Sequence, residues 1–262
     1  MIDIGVFGAA GRMGKRIIAL ANQDGRFVVT SAFEKHGHPK IGADCGELAG
    51  IGSIGVEIGA EKGDFDVLID FSSPEGILNA LDLALNRGSS LVSGTTGLGE
   101  EHFRALKDAS EKIGVFYASN FSMGITVLAK IAVDTADYLL DSDIEIVEAH
   151  HNRKADSPSG TALSLAGKIA ETRGEKLENL AIYGRDRGKT GPRSNNQIGI
   201  HAVRGGGIIG EHKIMYILPH EMVVLEHRAF SRDVFAAGAL EAANFVVGKT
   251  GYFDMENLFN PE

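Results

Sequence analysis

Ile2-Asp3-Ile4-Gly5-Val6-Phe7-Gly8-Ala9-Ala10-Gly11-Arg12-Met13-Gly14 opens the chain as an apolar strand, a glycine-bearing turn and the start of a helix. Glycines let the backbone approach a pyrophosphate, and a helix starting there aims unpaired N–H groups and its positive dipole end at that charge. The spacing is G-x-x-G-x-x-G rather than the commoner G-x-G-x-x-G, so the string draws its meaning from lying between a strand and a helix. Glu34 ends the next apolar run, 34 − 14 = 20 residues past the last of these glycines, where an acid binds ribose hydroxyls. Lys35 and His36 follow it, either as solvated surface residues or as partners for a 2′-phosphate, so use of both NADH and NADPH is expected.

Outward from this loop, short apolar runs alternate with helical stretches up to about residue 121, the pattern of a parallel sheet. FVVTSAF, DVLIDFS, SLVSGTT and GVFYASN read as strands. RMGKRIIALAN, EGILNALDLALNR and EEHFRALKDASEK read as helices, with Ile77, Leu78, Leu81 and Leu85 as the stripe expected to face the sheet. Ligands of such sheets bind beyond the carboxyl ends of the strands, where Gly94, Thr95 and Thr96 and then Ser119, Asn120, Phe121 and Ser122 offer small or polar backbone to a nicotinamide. Ordinary turn chemistry accounts for the same residues equally well.

A long helix over residues 123–140, with Ile125, Leu128, Ala132, Ala136 and Leu139 on one face, is expected to link two domains. Beyond it IEIVEAHH, QIGIHAVR, HKIMYIL and MVVLEHR read as strands, with only residues 160–171 helical between them. Strands separated by hairpin-length gaps, such as Pro219-His220-Glu221, imply a mixed or antiparallel sheet. Arg204 with Gly205, Gly206 and Gly207 reads as a plain hairpin turn in preference to a mobile loop near a ligand. Residues 234–247 form an alanine-rich helix able to pack back on the first domain.

The 262 residues allow one large domain or two modest ones, and 34 glycines against 6 prolines favour tight turns and close backbone approach over rigid spacers. A formal charge of −9 argues against a nucleic-acid partner but is compatible with a small anionic substrate held by local cations and helix N-termini. The lone cysteine, Cys45, reads as a small buried or loop residue. It can form no intramolecular disulfide, and no basic leader or membrane-length apolar run is visible, so a cytoplasmic location without membrane attachment is expected.

The densest polar cluster is Glu148-Ala149-His150-His151-Asn152-Arg153-Lys154-Ala155-Asp156-Ser157-Pro158-Ser159-Gly160-Thr161, running from a strand end into a helix start. Alternation sends His150 and His151 to opposite sides, so only one imidazole faces a reacting atom. Lys154 adds a fixed cation, and Ser159-Gly160-Thr161 presents a helix N-terminus to a carboxylate. Metal binding is disfavoured, because adjacent histidines on a strand point apart and no carboxylate follows at helical ligand spacing. His201, His212, His220 and His227 read as structural or surface residues.

The run EAHHNRKADSPSGTAL resembles the signature of the dihydrodipicolinate reductase (4-hydroxy-tetrahydrodipicolinate reductase) family. GAAGRMG, DFSSPEG, SGTTGL, SNFSMG, VRGGGIIGEHKI and HRAFSRDVFAAGAL resemble that family too, in its order and across essentially the whole chain. The resemblance implies an α/β fold: an N-terminal Rossmann dinucleotide-binding domain, residues 1–121 plus 232–262, and an α+β mixed-sheet domain, residues 122–231, for substrate and tetramer contacts. It further implies reduction of 4-hydroxy-tetrahydrodipicolinate, via dihydrodipicolinate, to tetrahydrodipicolinate by NADPH or NADH, on the diaminopimelate route to lysine. Carried over by position, His150 matches the proton donor and Lys154 its partner, while His151, Gly160 and Thr161 match substrate contacts. Gly8, Ala9, Ala10, Gly11, Arg12, Met13, Glu34, Gly94, Thr95, Thr96, Ser119, Asn120, Phe121 and Ser122 match cofactor contacts. Lys35 stands where some relatives have arginine, keeping the charge but losing the bidentate fork.

Hydride addition at C4 of a ring imine builds an enamine whose C3 must be protonated, and imidazolium is suited to that near neutral pH. His150 is assigned that step, with Lys154 orienting the carboxylates across a cleft between two lobes. Two alternatives stay open: another two-domain oxidoreductase of the aspartate or homoserine dehydrogenase type, and a non-catalytic dinucleotide sensor.

Overall fold

A strand apolar on both faces needs cover on both, and Val67–Asp70 and Ser90–Ser93 are buried along their whole length. The computed structural model describes residues 1–59 and 64–259. The chain divides into two units, Met1–Ser122 with Arg232–Glu262, and Met123–Ser231.

In the first unit the chain runs β1 (Ile2–Phe7), α1 (Arg12–Ala21), β2 (Phe27–Phe33), α2 (Cys45–Ala49), β3 (Val67–Asp70), α3 (Pro74–Arg87), β4 (Ser90–Ser93), α4 (Glu100–Ser110) and β5 (Gly114–Tyr117). It re-enters this unit after the second one. The second unit comprises α5 (Met123–Tyr138), β6 (Asp143–His150), α6 (Gly160–Thr172), α7 (Leu177–Leu180), β7 (Ala181–Tyr183), β8 (Ile198–Arg204), β9 (Gly210–Ile217) and β10 (Met222–Ala229). The tail supplies α8 (Asp233–Val246) and β11 (Gly251–Phe253) to the first.

The first sheet is ordered β11-β5-β4-β3-β1-β2 and every pairing is parallel. Strand order reverses between β1 and β3, which makes the crevice beyond their carboxyl ends the natural ligand site. Buried Ile17 and Ile18 of α1 share a core with Phe116, Phe121 and the Ala236, Ala239 and Ala243 face of α8. Gly238 is required there, since a Cβ would lie 1.8 Å from the Phe121 carbonyl oxygen. The stripe of α3 that faces the sheet is Ile77, Ala80, Leu81 and Ala84; Leu78 is exposed, so the large side chains misplaced the stripe's centre. The short elements α2 and β11 were not expected. Asp44 caps α2 through Gly46 and Glu47 N–H, and Gly251–Phe253 carries too few residues for a periodic signal.

The second sheet is mixed, β10-β9-β6-β8-β7, with β9 antiparallel to both β10 and β6 while β6, β8 and β7 run parallel. Ile144, Ile146, Ile198, Ile200, Ile214 and Tyr216 face α5 and α6. Two expectations are corrected. Helix α5 is not a linker between domains: Ile125, Leu128, Ala132 and Ala136 are core of the second unit, and Tyr216 Oη donates to Ala132 O at 2.6 Å. Nor do Gly205, Gly206 and Gly207 make a plain hairpin, because β6 lies between β8 and β9 and the connection must cross its end. That connection is tied down by Gly205 N–H on His150 O (2.9 Å) and Asn152 N–H on Gly206 O (3.3 Å).

Candidate active site

In the first unit the glycine loop is drawn onto the end of β2. Gly8 (φ +80°) and Ala9 both donate to Phe33 O, at 3.0 and 3.1 Å, and Ala10 N–H donates to Glu34 Oε1 at 3.0 Å. Gly14 lets α1 sit against this loop, since a Cβ would lie 2.3 Å from Gly8 O. No side chain caps α1 among the described residues, so its first-turn N–H groups at Arg12, Met13 and Gly14 are left for an anion. This cradle fits a dinucleotide pyrophosphate, with the Glu34 carboxylate beside it. Lys35 and His36 are exposed next to Glu34.

The other strand ends are organised by a residue to which the sequence reading gave no role. Asp70, closing β3, is fully buried and accepts from Ser72 N–H (3.2 Å), Ser72 Oγ (2.5 Å), Ser93 Oγ (2.8 Å) and Thr95 Oγ1 (2.7 Å). Burial pushes its carboxyl up from the ordinary carboxylate range, against the pull of these hydroxyls. The Thr95 hydroxyl therefore serves Asp70, leaving exposed Thr96 and the Gly94 backbone to face a ligand. Gly94 must lack a side chain because a Cβ would lie 2.3 Å from the Phe71 ring. Ser119 is exposed and Asn120 half-buried, its Oδ1 accepting from Ser122 N–H at 2.8 Å. Phe121, matched to a cofactor contact, has its side chain in the core against Phe71 and Phe116, at centroid distances of 5.4 and 5.9 Å. Only its backbone is left for a ligand. Cys45 is buried, and burial raises its thiol to about 11, so it is inert as a nucleophile.

In the second unit the ionisable residues gather at one end of the mixed sheet. His150, the last residue of β6, places Nδ1 2.6 Å from Glu148 Oε2, and the Glu148 side chain has no solvent exposure. Arg204, ending β8, grips the same carboxylate with both terminal nitrogens, Nη1 to Oε2 and Nη2 to Oε1, each at 2.7 Å. Ser159 N–H donates to Glu148 Oε1 at 2.9 Å. Burial works against the charge on Glu148, but Arg204, His150 and Ser159 together hold it below the ordinary range. Sequence reading left Glu148 and Arg204 without a role, and Arg204 also donates to Asp156 O at 2.8 Å.

His212 of β9 lies edge-on to His150, centroids 5.3 Å apart, with Nε2 3.3 Å from Ser159 Oγ. It is buried, not a surface residue, and burial with the neighbouring imidazoles lowers it to about 4, so it is neutral near pH 7. Lys154 stands in the turn between β6 and α6, paired with Asp156 Oδ1 at 2.8 Å. Ser159 caps α6 by accepting from Ala162 N–H at 3.2 Å, so Gly160 and Thr161 carry the remaining first-turn donors. His151 follows the end of β6, half-buried, and Gly160 is exposed.

Residues 2–121 match a sequence family described as dihydrodipicolinate reductase, N-terminus, and residues 124–259 match dihydrodipicolinate reductase, C-terminus. The chain is 41% identical over 264 residues to a 4-hydroxy-tetrahydrodipicolinate reductase of Psychrobacter arcticus, covering 98% of this chain and 95% of that one. It is 44% identical to the protein of the same name from Alkalilimnicola ehrlichii, covering 97% of each. Its fold is similar to that of a dipicolinate-bound dihydrodipicolinate reductase from Paenisporosarcina sp. TG-14, at TM-score 0.77 and 25% identity over 97% of both chains.

Proposed function

The chain belongs to the dihydrodipicolinate reductase family and is an NAD(P)H-dependent oxidoreductase that reduces 4-hydroxy-tetrahydrodipicolinate in lysine and diaminopimelate biosynthesis; on that premise we propose how its residues divide the work. The unit built from residues 1–121 and 232–262 holds NADH or NADPH. Gly8 to Met13 cradle the pyrophosphate, Glu34 the ribose, Lys35 a 2′-phosphate, and the backbone at Gly94 to Thr96 and Ser119 to Ser122 the nicotinamide. When bound, the reduced cofactor supplies a hydride to C4 of the substrate ring.

Residues 122–231 hold the dicarboxylate. Lys154 exchanges Asp156 for a substrate carboxylate, and the Gly160 and Thr161 N–H groups with His151 hold the substrate by its anionic groups. Hydride addition leaves an enamine; as electron density moves from its nitrogen toward C3, His150 delivers a proton there and the C=N bond of the product forms. The observation that carries this reading is the gathering of an imidazole, an ammonium and a helix N-terminus at one end of the mixed sheet. The dehydrogenase and sensor alternatives lose their ground with the family.

A cytoplasmic homotetramer is proposed as the working form. On the sheet face away from α5 and α6, Met222 and Val224 of the edge strand β10 are 52% and 40% exposed, an apolar pair suited to packing against another copy. Among the described residues no helix is long and apolar enough to cross a membrane. Following cofactor absorbance with freshly made substrate, NADPH and NADH should both be consumed. A His150→Gln variant should lose turnover by roughly 10²-fold or more; wild-type turnover in that variant defeats the acid assignment.

A further inference from the structure

Buried Glu148 and half-buried Arg204 are ionisable groups that the scheme above leaves without work. Glu148 continues the core-facing stripe of β6 after Ile144 and Ile146, a place where a carboxylate is costly unless paired. It is paired completely. Each of its oxygens takes two contacts: Ser159 N–H and Arg204 Nη2 at Oε1, and Arg204 Nη1 and His150 Nδ1 at Oε2. A backbone N–H and a guanidinium can only donate, so the carboxylate is fixed as an acceptor, and the His150 Nδ1 at 2.6 Å must be its donor.

We propose that Glu148 and Arg204 form a positioning pair for the reduction: Glu148 keeps the Nδ1 proton on His150 in both charge states of the ring, so Nε2 is the only nitrogen that gives up and regains a proton. This deepens the assignment of His150 as the acid and rests on it. The imidazolium loses its Nε2 proton to the substrate carbon, the ring becomes the neutral Nδ1–H tautomer without turning, and Nε2 is reprotonated from water. Arg204 balances the charge of Glu148, so the carboxylate holds the Nδ1 proton and orients the ring without preventing release of the Nε2 proton. Gly210, opening β9, keeps the space beside Nε2 open: a Cβ there would stand 3.2 Å from that nitrogen.

The charged and titratable groups around His150 are Glu148 on its own strand, Arg204 on β8, His212 on β9 with His227 beyond it on β10, and the Lys154–Asp156 pair on the turn. Their signs give opposed consequences for the two variants. Glu148→Gln removes the negative partner and moves the alkaline limb of the kcat/KM profile to lower pH. Arg204→Gln removes the positive one and moves that limb to higher pH.

The deciding measurement is ¹⁵N NMR of histidine-labelled full-length protein, with the His150 ring identified by the signal missing in His150→Gln. The wild type should show the Nδ1–H tautomer on the alkaline side of its titration. Glu148→Gln should show loss of that tautomer, kcat lowered roughly 10²-fold and KM changed much less. An Nε2–H tautomer in the wild type overturns the proposal without need of any variant, and so does Glu148→Gln retaining both the Nδ1–H form and wild-type kcat. The two readings fail separately: full turnover in His150→Gln removes the acid itself, whereas an inactive His150→Gln beside an unaltered Glu148→Gln removes only the positioning pair.

Discussion

His212 makes the fold sensitive to acid in a way that can be measured apart from catalysis. Its ring is buried, and desolvation first, then the neighbouring His150 and His227, lower it from 6.5 to about 4, with Glu148 opposing and Lys154 adding to the shift. Between those two values the unfolded chain binds a proton that the folded one refuses, so stability falls as pH falls, beginning near 6.5 and ending near 4. At roughly 1.4 kcal/mol per pKa unit the full effect is about 3 kcal/mol, of which about 2 is lost between pH 7 and pH 4.5. Urea unfolding of the wild type and of His212→Gln at both pH values, at one protein concentration, isolates this contribution as the difference between their pH-dependent losses. The Gln variant starts from a lower stability, having lost ring packing against His150, but should lose about 2 kcal/mol less on acidification. Equal losses in the two proteins would refute a neutral buried His212.

Other perturbations separate the cofactor cradle, the scaffold and the site. Gly14→Ala puts a Cβ 2.3 Å from the Gly8 carbonyl oxygen, so NADH and NADPH titrations should show weakened binding of both, with roughly 1–3 kcal/mol lost in unfolding. Asp44→Ala removes the α2 cap, whose carboxyl five backbone and hydroxyl donors hold at about 2 against desolvation; thermal melts should register about 1 kcal/mol with kcat unchanged. Gly210→Ala crowds Nε2 of His150 and should lower kcat by roughly tenfold while the Nδ1–H tautomer persists in the ¹⁵N spectrum.

The legible parts of this protein are those whose signal is local. The glycine loop, its strand and its helix lie within twenty residues, and Glu34 lies one strand away, so sequence order alone brings them near one another. Helix α6 announces itself through Ser159, whose hydroxyl does accept from the Ala162 N–H. The five-residue helix α2 and the three-residue strands β7 and β11 carry too few side chains for either period to register. The crossing of β6 by the Gly205 to Gly207 connection was missed for a different reason: glycines specify a turn, but which strand lies between its ends is a property of the whole sheet.

The polar pocket behind His150 had a signal of its own, in strand parity. In β6 the core-facing positions read Ile144, Ile146, Glu148, His150; in β8, Ile198 and Ile200 lead to Arg204; in β9, His212 precedes Ile214 and Tyr216. Each strand keeps an apolar stripe and then replaces it with an ionisable group at one end. Since β8 runs parallel to β6 and β9 antiparallel, those ends coincide, with His150 opposite Arg204 and Glu148 opposite His212. A buried charge needs a partner of opposite sign or a set of donors, so three such interruptions at one sheet end imply one shared pocket. Parity therefore marks Glu148 as a buried carboxylate, and pairing direction, which the sequence does not state, decides that its partner is Arg204, 56 residues away.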